Sequence, residues 1–155
     1  MTSVRIFAPP NRLAKIIAGN EGQFFSTLVE ASERRLAALA DDIRAHVSTQ
    51  VQTIVEIASL GEEIIFARCY EIRDAAMSIA DVAAVADLAE VGVAAGGIRA
   101  MIDSLACKGV WHTDALEAHI TSLVLLHGAP PPSADEAQKV LVRLGKMRAA
   151  IGVVE

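Results

Sequence analysis

"GEEIIFARCYEIRDAAMSIAD", residues 61–81, sets Ile65, Cys69, Ile72, Ala76 and Ile79 at steps of four, three, four and three. At about 100° per residue these five side chains fall in one stripe, the pattern of a helix with a single buried face. The spacing predicts a helix from about Glu62 to Ala80, with Gly61 ending the element before it. With the centre of the stripe at zero, Tyr70 falls at roughly 140°, Glu63 at about 160° and Asp74 at about 180°. Phe66 and Met77 fall near 100° and 120°, and Arg73 near 80°, at the boundary. Phe66, Tyr70 and Met77 therefore form a row of large side chains outside the core stripe, bordered by Arg73 and Asp74.

Upstream, Leu28, Ser32, Leu36, Leu39, Ile43, Val47, Val51, Ile54 and Ala58 keep helical spacing over roughly 35 residues, a helix on the order of 50 Å long. Asn20 and Gln23 have the three-residue spacing of a capping box at its start. Polar and β-branched residues from His46 to Thr49 suggest a bend or break. Residues 1–19 read as an extended arm, since Pro9 and Pro10 block a helix there. Downstream, Asp81 is a candidate cap for a third helix over about 82–106. Gly92, Gly96 and Gly97 inside it mark close packing or a kink, because glycine weakens a helix interior. "CKGVWHTD" (107–114) reads as a turn broken at Gly109, with Thr113 capping a fourth helix over about 114–127. "HGAPPPS" (127–133) is a short stiff connector. Ser133 and Glu136 form an S-x-x-E capping box, and Val140, Leu141, Leu144, Met147 and Ile151 continue into a last helix over about 133–152. No segment alternates as a strand does, and no internal repeat is evident. These elements predict a single all-α domain over 1–155, an antiparallel up-down bundle of four helices with an additional C-terminal one.

Composition narrows the function classes. The 155 residues carry 14 Lys and Arg against 19 Asp and Glu, a net charge of −5. The basic residues are scattered, which argues against a nucleic-acid footprint. "SIADVAAVADLAEVGVAAGGIRAMI" (78–102) is apolar, but Asp81, Asp87 and Glu90 argue against a membrane span. The N-terminus has no apolar run of signal-peptide length. Cys69 and Cys107 are too few for a disulfide framework, so reduced thiols and a cytoplasmic location are expected. His112 and His119 lie seven apart, but Ala115 and Leu116 between them offer no further ligand, so no metal site is expected. "GVAAGG" (92–97) follows no strand, and no nucleophile elbow appears, so neither a phosphate cradle, a bound cofactor nor an enzyme is expected.

"CYEIRDAA" (69–76) resembles the His-x-x-Lys-Gly motif of bacterial histidine-phosphotransfer (HPt) domains of two-component and chemotaxis systems. "GVAAGGIRAMIDSL" (92–105), "EAHITSLVLL" (117–126) and "APPNRL" (8–13) are similar to other segments of that family, so the likeness covers most of the chain. It implies a four-helix bundle with the motif on its second helix. It also implies that Tyr70 occupies the phospho-histidine position, Arg73 that of the lysine and Asp74 that of the glycine. Tyrosine titrates near 10 and is a poor nucleophile at neutral pH. Arg73 keeps the positive charge but offers a planar fork. Asp74 adds bulk and a charge that opposes the acidic pocket of a receiver domain. The resemblance therefore implies a docking face without phosphotransfer chemistry, made of Phe66, Tyr70, Arg73, Asp74 and Met77. Its expected partner is a response-regulator receiver domain or a histidine kinase. Two alternatives stand beside this reading. One is active phosphotransfer through His46, His112, His119 or His127, none of which has Lys or Arg three residues on. The other is a structural homodimer seamed along the long first helix.

Overall fold

The computed structural model describes residues 23–109 and 111–153, with side chains from Ser26 onward. The expectations for the arm over 1–19 and for the Asn20 cap lie outside the described residues. The chain divides into two compact units, Met1–Leu36 and Ala37–Glu155. The elements are α1 (Gln23–Ala58), α2 (Glu62–Ala67), α3 (Cys69–Val82), a 3-10 turn (Ala83–Ala86), α4 (Ala89–Lys108), α5 (Thr113–His127) and α6 (Ala134–Ala150). The fold is an all-α helical bundle, with no strand among the described residues. No described helix is long and apolar enough to cross a membrane.

The break expected in α1 near His46–Thr49 is absent. The Thr49 hydroxyl donates to the Ala45 carbonyl at 3.0 Å, and the Thr53 hydroxyl to the Thr49 carbonyl at 3.0 Å. Both hydroxyls bond back onto the helix's own carbonyls without interrupting it. His46 and Ser48 reach outward. His46 Nε2 shares a 2.7 Å hydrogen bond with Ser78 on α3, and Ser48 shares one of 3.0 Å with His127 Nε2 on α5. The apolar stripe of α1 is not buried throughout. Leu28, Leu36 and Leu39 are exposed, and Val47, Val51, Ile54 and Ile57 are buried.

The helix predicted over Glu62–Ala80 is two helices, α2 and α3, joined at Arg68 (φ −109°, ψ 20°). Hydrogen bonds continue across the joint, from Arg68 N to the Ile64 carbonyl and from Ile72 N to the Arg68 carbonyl. The register is therefore kept. Ile65, Cys69, Ile72, Ala76 and Ile79 are all buried, as the stripe requires. Arg68 grips Glu71 with two side-chain hydrogen bonds, 2.9 and 2.6 Å long, which hold the Glu71 carboxyl below its usual range.

The third predicted helix starts later than expected. Asp81 lies inside α3 and caps nothing. The chain reverses through the 3-10 turn and Asp87, which adopts the left-handed conformation at φ 60°, and α4 begins at Ala89. The reversal is tight because Gly92 has no side chain; a Cβ there would stand 3.2 Å from the Ala83 Cβ. α4 packs against α3, α5 and α6. Short connections between them make sequence neighbours antiparallel. Its buried face is built from Val91, Ala94, Ala95, Ile98, Met101 and Ile102, mostly small or flexible side chains that let neighbours approach closely. The capping box of α6 is formed: Glu136 N donates to Ser133 Oγ, and Ser133 N donates to the Glu136 carboxylate at 3.0 Å.

α6 is tied to α4 and α5 by a polar contact inside the core. His119 is fully buried and Arg148 nearly so. His119 Nδ1 donates to the Ala115 carbonyl at 2.7 Å, which leaves Nε2 to accept from Arg148 Nη1 at 3.4 Å. Burial first, and the Arg148 charge beside it, hold the His119 pKa below its ordinary value, against the opposing pull of the Ala115 carbonyl. The guanidinium lies over Gly97, where a Cβ would stand 2.4 Å from Arg148 Nη1 and 3.1 Å from the His119 ring.

Candidate functional site

The five residues singled out on the helix wheel lie along α2 and α3. Phe66 is 52% exposed, Tyr70 54% and Met77 36%. Asp74 is exposed and Arg73 half-buried. Because the stripe on the opposite side is buried, this row is the solvent face of α2 and α3. Its members do not form one continuous stack. Phe66 pairs edge-to-face with Trp111, ring centres 5.2 Å apart at 87°. Tyr70 has the Arg73 guanidinium carbon 5.7 Å from its ring centre, within cation–π range.

Arg73 is the hinge of the local electrostatics. Its Nε lies 3.5 Å from Asp74 Oδ1 and 3.6 Å from Asp103 Oδ1 on α4. Both distances are long for a hydrogen bond, and Nε is buried with no hydrogen-bond partner. The guanidinium is thus attracted by two carboxylates and held near an aromatic ring. A phosphoryl group approaching Tyr70 would meet a cation already shared between Asp74 and Asp103, with the Asp74 carboxylate beside it.

Trp111 is the residue that sequence reasoning missed. It stands in the turn between α4 and α5, half-buried, and its indole N–H donates to Thr113 Oγ1 at 3.0 Å. The Thr113 hydroxyl in turn donates to Glu62 at the start of α2. Thr113 is therefore the first residue of α5 and bridges elements, with His112 in the cap position expected of it. The only available signal was that Trp111 is the single tryptophan in the chain. Beside it lies a groove of about 440 Å³ whose walls carry Glu62, Asp114 and Glu117.

The histidines are distributed among other contacts. His46 and His127 bond to serines across helix pairs, His119 is in the core, and His112 is exposed. Among the described residues no three His, Cys, Asp or Glu side chains come together as metal ligands would. Both cysteines are free, Cys69 buried and Cys107 exposed. No protein-family model, no curated protein and no solved structure matches the chain.

Proposed function

We propose that this chain is an adaptor of the HPt kind that no longer carries phosphate and binds a receiver domain or histidine kinase through the outer face of α2 and α3. The observation that carries the reading is exposed Tyr70 and Asp74 beside half-buried Arg73, on a helix whose other face is core. Each member suits docking better than phosphotransfer. The Tyr70 hydroxyl is a weak nucleophile at neutral pH, and Arg73 is engaged by carboxylates. Aromatic side chains beside arginine are the composition that binding hot spots concentrate. The protein would act by occupying a signalling partner, as scaffold or competitor.

The test is binding measured against the receiver and kinase domains of the same cell, with radiolabelled phosphate followed in parallel. A partner should bind with no label passing to this chain, and Tyr70→Ala should weaken the complex roughly 5- to 30-fold, about 1–2 kcal/mol. Acid-labile label that disappears in one His→Gln variant would establish phosphotransfer through that histidine instead. Tyr70→His alone should not create efficient transfer, because Asp74 still opposes an acidic receiver pocket. Adding Asp74→Gly to it should do better.

A further inference from the structure

The outer face of α2 and α3 does not end at Phe66. Through the edge-to-face pair it reaches Trp111, so the aromatic surface joins α2 to the turn before α5. Glu62 stands one turn before Phe66 on α2. Trp111 shares the walls of the groove of about 440 Å³ with Glu62, Asp114 and Glu117. Two elements therefore supply these walls, the start of α2 and the turn that leads into α5. The groove lies beside the aromatic pair, at one end of the row that runs through Tyr70 and Met77.

The charges of this surface do not balance. Arg68 is taken up by Glu71, and Arg73 lies between Asp74 and Asp103. Glu62, Glu63, Asp114 and Glu117 have no cation at ion-pair distance among the described residues. No described lysine or arginine lines the groove. Helix dipoles account for part of this. Glu62 and Asp114 lie in the first turns of α2 and α5, where the N-terminal end favours negative charge. Glu117 lies further along α5, beyond the first turn. Nor does a dipole account for Phe66, half exposed at the same edge. Like charges gathered round an aromatic pair repel one another in the free protein and are relieved by a cation from outside.

We infer, resting on the docking face proposed above, that the partner seated there presents a basic surface. One of its lysines or arginines enters the groove, its aliphatic stem along the Trp111 indole and its cation among Glu62, Asp114 and Glu117. An acidic receiver pocket turned toward this end would meet like charge, so either partner class must bring a basic patch instead.

The test pans a displayed library of random linear peptides on the full chain, with counter-selection on Glu117→Lys. Glu117 is exposed, so Glu117→Lys keeps the fold, which circular dichroism and melting check. Surviving peptides should be rich in lysine or arginine and should bind more weakly as salt rises. They should lose roughly tenfold or more in affinity on Glu117→Lys and on Phe66→Ala. They should lose little on Asp135→Lys, which makes the same change of net charge on α6. Acidic or neutral winners, affinity indifferent to Glu117→Lys, an equal loss on Asp135→Lys, or no surviving peptide would overturn the inference. The receiver or kinase domain that Tyr70→Ala weakens is measured in parallel, and Glu117→Lys should weaken it as well. If that domain binds Glu117→Lys as tightly as the wild type, the docking face stands and its charge preference falls. If no domain binds but basic peptides do, the adaptor reading falls and the basic occupant of the groove stands.

Discussion

Adjacent glycines on α4 have opposite roles. At Gly96 an added methyl enters open space, so Gly96→Ala should stabilise the protein by about 0.5–1 kcal/mol through helix propensity alone. At Gly97 the same methyl displaces a guanidinium that is held by His119. Gly97→Ala should destabilise by on the order of 1–2 kcal/mol, overpacking outweighing the propensity gain. Urea unfolding of the two variants reads both signs. His119 makes a pH prediction. Its folded pKa is depressed, so the folded state binds this proton less readily than the unfolded chain does. Its contribution is intact above the unfolded value near 6.5 and is lost as pH falls below it, at up to about 1.4 kcal/mol per unit, until the lower folded pKa is passed. Unfolding free energies at pH 7.5 and 5.5 should therefore diverge more in the wild type than in His119→Gln, which has no ring to protonate. Equal divergence would show that His119 does not carry the acid sensitivity.

Among the elements, α3 is the one whose orientation decides whether the proposed docking face meets solvent. Ile72 is fully buried and Tyr70, two residues earlier, is half exposed. Ile72→Ala should cost about 2–5 kcal/mol of stability, and Tyr70→Ala should leave the melting temperature nearly unchanged. The reverse result would mean that α3 is rotated about its axis. At the start of α6, Ser133→Ala removes the side chain that accepts from Glu136 N, and should cost on the order of 1 kcal/mol. Both faces of α3 and the cap of α6 are readable in the sequence because each depends on residues within a turn or two. The joint at Arg68 is not: the stripe passes through it in register, so a helix wheel cannot see it.

In the whole molecule, every residue buried among the described ones lies from Val47 to Val153. A chain beginning at Ala37 should therefore keep a cooperative melt within a few degrees of the full protein; a fall of ten degrees or more would place core contacts before that point. The sequence by itself determined the helical class, the stripe from Ile65 to Ile79, the solvent exposure of Phe66, Tyr70 and Met77, and the cap at Ser133. These are properties of spacing, and a helix converts spacing into faces without help from the rest of the chain. Tertiary structure alone decided which part of the long α1 stripe is covered, since Leu36 and Val47 have the same apolar character and differ only in what stands opposite. It alone brought Trp111 to Phe66, Asp103 to Arg73, and Arg148 to His119 above the bare backbone of Gly97. The three pairs are 29 to 45 positions apart, and no local period records a meeting that depends on how the helices fill the space between them.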